Sequence, residues 1–262
     1  MTVNHAWTGS GPRFELNWAG RAWICDVAAT APGLWPVDVA CGPLLALDGV
    51  STPGRTETAL NGNTLEKAEI VQGRLEANYA PEGWGGLRVR AAWTPRADGS
   101  IDLETQATAS SVGELREFEV YVASRFVDNG GGRRRVWVEP RDSRSAGLSY
   151  DGREGDARGW TTLPPLEPSG RFAPRVLPSP WSDAERYVEL AHRDDVARRV
   201  VFSSRMSSLG HATRYAFFGH DLERGVVVRG RLRAFWLTGA DFEARALEEL
   251  DRFLSEPPPL GP

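Results

Sequence analysis

The chain has 262 residues, 41% of them hydrophobic, and a formal charge of −4. That length and apolar share suffice for one sizeable core, and the acidic balance argues against nucleic acid, which is met by a basic surface. No run approaches the roughly 18 uninterrupted apolar residues of a membrane helix, and MTVNHAWTGSGPRF has no basic stretch leading into an apolar one. A cytoplasmic protein forming a single domain over 1–262 is expected, with no membrane partner, no cofactor and no metal. Cys25 and Cys41 are too few for a disulfide framework or a zinc site and read as buried thiols.

Strands are expected in chain order at 13–18, 22–28, 43–47 and 67–79. In LRVRAAW (87–93), Leu87, Val89, Ala91 and Trp93 share one face and Arg88 and Arg90 the other. IDLETQATA (101–109) sets Ile101, Leu103 and Thr105 against Asp102, Glu104 and Gln106. LREFEVYVASRF (115–126) aligns Phe118, Val120, Val122 and Phe126 against Glu117, Glu119, Tyr121 and Arg125. Period-two alternation of this kind marks antiparallel strands with one buried face. Asp-Gly in ADGS (97–100) predicts a tight hairpin, and LDGV (47–50) and YDGR (150–153) repeat that chemistry.

Further strands are expected at 134–139, 186–192, 198–204, 213–220 and 226–237. Between 140 and 186 the chain is rich in Gly, Pro, Ser and charge and predicts a long irregular loop region. DFEARALEELDRFLS (241–255) puts Phe242, Ala246, Leu250, Phe253 and Leu254 on one helical stripe, with Asp241 as N-cap and EPPPLGP as the stop. Many short strands with turn signals between them predict an all-β fold, a large antiparallel β-sandwich with a short C-terminal α-helix.

The candidate chemistry centres on YAFFGHDLERGVVVRGRLRAFW (215–236), read as a hairpin. A two-residue turn at Glu223-Arg224 sets His220 opposite Val227, on the face of Arg229 and Arg231. A three-residue loop moves it to the side of Val226 and Val228. A histidine beside carboxylates is the raw material of general acid–base catalysis, so His220, Asp221 and Glu223 are candidate catalytic residues. His192, closing YVELAHR, reads as a sheet-end histidine or as a second acid or base. Arg229, Arg231 and Arg233 form a guanidinium row that either holds an anionic group in a cleft or faces solvent and pairs with Glu117 and Glu119. Flat aromatic faces stack on sugar rings, so the tryptophans placed in loops, Trp84, Trp160 and Trp181, are candidate substrate contacts.

The order RFELNWAGRAW, GPLLALDG, LRVRAAWTPRADGSIDLETQATASSVGELREFEVYVAS resembles the galactose-mutarotase-like β-supersandwich, over about residues 10–130. The resemblance implies two large curved sheets with a cleft on the concave side. It also implies carbohydrate chemistry: sugar mutarotases, hexose-phosphate epimerases, polysaccharide lyases and accessory domains belong to that family. Its mutarotases carry their acid in a His-x-aromatic-aromatic-Asn setting; AHRDD and FGHDLE depart from it, so that catalytic pair is not carried over. The expected activity is acid–base chemistry on a sugar, anionic if the arginine row lines the cleft: epimerisation, mutarotation or β-elimination on a small-molecule or oligosaccharide substrate. β-Elimination would require a tyrosine such as Tyr215 or Tyr187 beside a histidine or arginine. The alternative is a non-catalytic carbohydrate-binding or accessory module.

Overall fold

The computed structural model describes residues 6–39, 41–110, 115–126, 160–163, 174–192, 194–203 and 211–257. The first strands are β1 (Trp7–Ser10), β2 (Arg13–Trp18), β3 (Arg21–Asp26), β4 (Leu34–Pro36) and β5 (Ala46–Ser51). They are followed by β6 (Leu65–Val71), β7 (Arg74–Tyr79), β8 (Arg88–Pro95), β9 (Ile101–Thr108) and β10 (Leu115–Phe126). Then come β11 (Trp160–Leu163), β12 (Arg175–Pro178), β13 (Glu185–Ala191), β14 (Val196–Ser203), β15 (His211–Leu222), β16 (Val227–Thr238) and the helix α1 (Phe242–Ser255). The expected all-β class with one C-terminal helix is what the chain adopts.

The strands form three antiparallel sheets: β1-β2-β3-β4, then β11-β14-β15-β10-β5, then β12-β13-β16-β9-β8-β7-β6. The second and third are called the five- and seven-stranded sheets below. Their inner faces meet in one apolar cluster: Phe118, Val120, Val122 and Phe217 come from the first, and Leu75, Val89, Trp93, Leu103 and Leu232 from the second. The small sheet closes the same cluster with Phe14, Leu16, Trp18 and Trp23, because RFELNW buries every second residue. At the inter-sheet contact a Cβ on Gly230 would lie 2.2 Å from Phe217 Cδ1, so glycine is required there. On the outer face of the seven-stranded sheet, Val188, Leu190, Phe235 and Leu237 receive Ala246, Leu250 and Phe253 of α1.

Several expectations change. The segment 67–79 is two strands, split by Gln72 (φ 50) and Gly73 (φ 81), a turn with positive φ at both central residues. Asp48-Gly49 makes no hairpin turn. It lies inside β5, where Asp48 is the extra residue of a bulge between the pairs Gly49–Tyr121 and Leu47–Val122. The 140–186 region contributes β11 and β12 and the start of β13; its YDGR segment and the strand expected at 134–139 lie outside the described residues. Asp241 precedes α1 but its side chain makes no capping bond.

The largest difference concerns the presumed hairpin. β15 lies in the five-stranded sheet and β16 in the seven-stranded one, so neither register proposed for them exists. The link between them crosses from one sheet to the other, held by the Gly225 N–H donating to Ala109 O at 2.9 Å. Both strands are rich in apolar residues because they face each other across the core. Alternation reports which side chains point inward; it does not report which strand lies alongside.

Candidate functional site

The residues singled out from the sequence do not converge on one cleft. His220 is exposed on β15, with Nδ1 3.2 Å from Phe218 O. The Asp221 carboxylate accepts the Glu117 N–H at 2.9 Å. Glu223 is exposed in the crossover link. His192 directly follows β13; its Nδ1 accepts the Asp194 N–H at 3.2 Å and its carbonyl accepts the N–H groups of Asp195 and Val196. It therefore closes the turn into β14, the sheet-end role.

Arg231 and Arg233 of the arginine row face neither a ligand cleft nor Glu117 and Glu119. Arg233, 2% exposed, donates to both Asp102 oxygens at 2.7 and 3.0 Å and to Glu256 at 2.5 and 2.8 Å. Arg231 donates to Glu256 at 3.2 Å and lies 4.4 Å over the Phe253 ring. Arg229 is half-buried. Burial pulls the Arg233 pKa down, but bonds to Glu256 and Asp102 carry it above its ordinary value. Glu256, reached from the end of α1, is held below the usual carboxylate range by the Arg233 hydrogen bonds. The carboxylates that answer the row belong to the chain itself.

Two of the loop tryptophans, Trp84 and Trp181, are packed. Trp84 is 1% exposed, its Nε1 donates to Thr58 Oγ1 at 3.0 Å, and the Arg55 guanidinium lies 4.2 Å over its ring. The flanking Gly83, Gly85 and Gly86 all take positive φ and let PEGWGG fold the indole inward. Trp181 packs edge-on to Trp23 and Trp236, with Arg21 4.2 Å over its face. Trp160 pairs its main chain with Phe202 in β11; its side chain lies outside the described residues.

Tyr187 and Tyr215 belong to a closed polar cluster between the two large sheets. Tyr187 and Tyr215 donate to Glu189 at 3.0 and 2.9 Å, and Ser124 donates to it as well. Burial pushes the Glu189 carboxyl up despite these donors, and burial likewise raises both phenols. Arg175 and Arg199 are buried in the same region. Three hydroxyls committed to one carboxylate make an inter-sheet lock, closed to a sugar ring.

An open cleft of about 470 Å³ lies elsewhere, on the outer face of the five-stranded sheet. Glu117, Glu119 and Tyr121 of β10, Ser51 of β5 and Arg198 of β14 line it, with a rim formed by Thr52, Pro53, Gly54, Arg55 and Glu57. Tyr121 donates to Glu119 Oε2 at 2.5 Å, and its hydroxyl lies 2.6 Å from Ser51 Oγ. Arg198 grips the same carboxylate with Nε at 2.9 Å and Nη2 at 2.6 Å, and reaches Tyr121 Oη at 3.1 Å. Arg214 lies 3.7 Å over the Tyr121 ring and is held by Asp48 and Glu57. Burial, then the bond to Glu119, raise the Tyr121 pKa, so the phenol is protonated at neutral pH. The hydrogen bonds that Arg198 donates to Glu119 raise its own pKa.

The alternation of β10 had set Glu117, Glu119 and Tyr121 on one face, and that face is the cleft wall. Sequence reasoning gave that face no ligand role, only an alternative pairing of Glu117 and Glu119 with the arginine row, because its true partners lie far along the chain: Arg198 is 77 residues from Tyr121. The bulged Asp48 is the other missed member. It could be found only once β5 was known to pair with β10 rather than to turn.

No protein-family model matches the chain, and no curated protein matches it. Among solved structures it is similar to heparinase III, at 11% identity and TM-score 0.40, over 88% of this chain and 30% of that one. A GalM/aldose epimerase homologue from C. elegans matches at 11% identity and TM-score 0.42, over 90% and 97% of the two chains. A polysaccharide lyase matches at 12% identity and TM-score 0.38, over 95% of this chain and 35% of the other. The chain thus spans about a third of the heparinase III and lyase chains. At these values the likeness carries no conclusion about what this chain does.

Proposed function

We propose that the protein handles carbohydrate and that the cleft beside Tyr121 receives a saccharide. The observation that carries this reading is the lining itself. In a cleft of about 470 Å³, inside the roughly 300–1,000 Å³ of small-ligand sites, a phenol, a serine hydroxyl, carboxylates and guanidinium groups stand within hydrogen-bond reach of one another. A sugar offers hydroxyls that donate and accept, which is what such a lining exchanges for its internal bonds. The strand rhythm that resembles the mutarotase-like family supports the same class of ligand. Arg231 and Arg233 are engaged by Asp102 and Glu256 and give no support to an anionic sugar.

Tyr121 also favours a catalytic version of this reading. A protonated phenol 2.5 Å from the Glu119 carboxylate and beside Arg198 is an acid next to a base, the arrangement for moving a proton at a sugar carbon. Calorimetric titration against neutral, amino and acidic oligosaccharides tests both. Arg198→Ala is expected to weaken binding about tenfold or more, because it releases the Glu119 carboxylate and Tyr121 hydroxyl that Arg198 holds in place in the cleft. In the catalytic version Tyr121→Phe abolishes turnover while retaining affinity. His220→Ala and His192→Ala are expected to bind as the parent does, since neither imidazole lines the cleft. Full affinity in Arg198→Ala would refute the cleft as the site.

A further inference from the structure

Within the saccharide reading above, Glu117 stands apart from the other charged groups of the cleft. Five charged side chains line the cleft: Arg55, Glu57, Glu117, Glu119 and Arg198. Four are engaged by the protein: Glu119 with Arg198, Glu57 with Arg214, and Arg55 with Gly83 O and the Trp84 ring. The Glu117 carboxylate has no hydrogen bond or ion pair among the described residues. With Glu119 paired to Arg198 and Glu57 to Arg214, Glu117 is the one carboxylate of the lining whose charge no ion pair balances among the described residues.

Glu117 is not a casual surface acid. Its backbone takes φ 43, the left-handed region that a side chain disfavours. The register shows why: Arg116 and Glu117 together stand opposite the single residue Asp221, a bulge in β10. Two bonds enforce it. Asp221 Oδ1 accepts the Glu117 N–H at 2.9 Å, and Thr52 Oγ1 donates to the Arg116 carbonyl. Across the pair, Phe218 (φ 78) and Gly219 (φ 69) form a compensating bulge in β15. Strain of this kind persists only where the surroundings over-determine it, and ligand clamps are among the places it is kept.

We propose that the cleft selects saccharides carrying a protonated amine, with Glu117 as counter-ion to that amine and Asp221 as the residue that positions Glu117. A uronate or sulfate ester would be repelled by the Glu117 carboxylate. A neutral sugar would bind through the Tyr121, Ser51 and Glu119 groups without engaging the Glu117 charge.

The test compares a chitosan oligosaccharide, whose amines are free, with its fully N-acetylated counterpart and with an oligoglucuronate, titrated at mildly acidic pH. The free-amine ligand is expected to bind about tenfold tighter than the acetylated one, the size of a charge-assisted hydrogen bond. Glu117→Gln removes that preference and leaves affinity for the acetylated ligand in place. Asp221→Ala lowers the preference, and Asp221→Asn keeps it, because the amide oxygen still accepts the Glu117 N–H. Glu117→Gly removes the preference while raising the unfolding midpoint, which separates lost recognition from lost folding. Equal affinities for the three ligands, tightest binding of the glucuronate, or an unchanged preference in Glu117→Gln overturns this proposal alone. Absence of binding to any of them overturns the saccharide reading and the proposal with it.

Discussion

The cluster under α1 offers a quantitative test of how the seven-stranded sheet holds its helix. Asp102, 2% exposed, accepts from Arg233 at 2.7 and 3.0 Å and from Arg96 at 3.2 Å. Asp102→Ala removes these three bonds and leaves Arg233, also 2% exposed, to Glu256 alone. Breaking a buried ion pair on one side costs about 3–5 kcal/mol. Because Glu256 remains as a partner, the lower end, about 3 kcal/mol, is expected, a midpoint shift of roughly 6–12 °C for a chain of this size. The double variant Asp102→Leu/Arg233→Met replaces both charges by apolar groups and is expected to recover to within about 1 kcal/mol of the parent. Urea unfolding of the parent, Asp102→Leu, Arg233→Met and the double variant closes a double-mutant cycle, with a coupling of at least about 2 kcal/mol expected because the double variant costs less than Asp102→Leu alone. A coupling near zero, or a single variant as stable as the parent, would refute the view that the arginine row is a structural tie.

Two further outcomes follow from the core. Glu189 has its folded pKa raised, chiefly by burial. Its favourable contribution is therefore present below the unfolded glutamate pKa and lost as pH rises through the folded one. Stability relative to Glu189→Gln is expected to fall across that interval in pH-dependent urea unfolding; a constant difference would contradict the buried carboxylate. Gly230→Ala places a methyl group 2.2 Å from Phe217 Cδ1 and 3.3 Å from Asp195 Cβ. It is expected to cost about 1–3 kcal/mol by overpacking, and a denaturation midpoint equal to the parent's would show that the sheets have room to part.

Much of the secondary structure was legible because it depends on neighbours along the chain. The alternation of Leu87, Val89, Ala91 and Trp93 gave the inward face of β8, since successive strand side chains point to opposite sides whatever lies next to them. Asp98-Gly99 turned where expected, with Gly99 at φ 84, and the stripe Ala246, Leu250, Phe253 found the sheet it packs on. The same locality misled at Asp48-Gly49. A dipeptide suited to a hairpin was drawn into β5 because β10 pairs along it.

Amino-acid order by itself determined the strand class, the buried faces and the terminal helix, because periodicity and turn chemistry act over a few residues. Only the tertiary structure decided that β15 and β16 belong to opposite sheets, that Arg233 meets Asp102 and Glu256, and that Arg198 reaches Tyr121. Those pairings join residues far apart in the chain. They are chosen by which strand edges meet and which cores fill, a competition among whole-molecule arrangements that no short stretch of residues encodes.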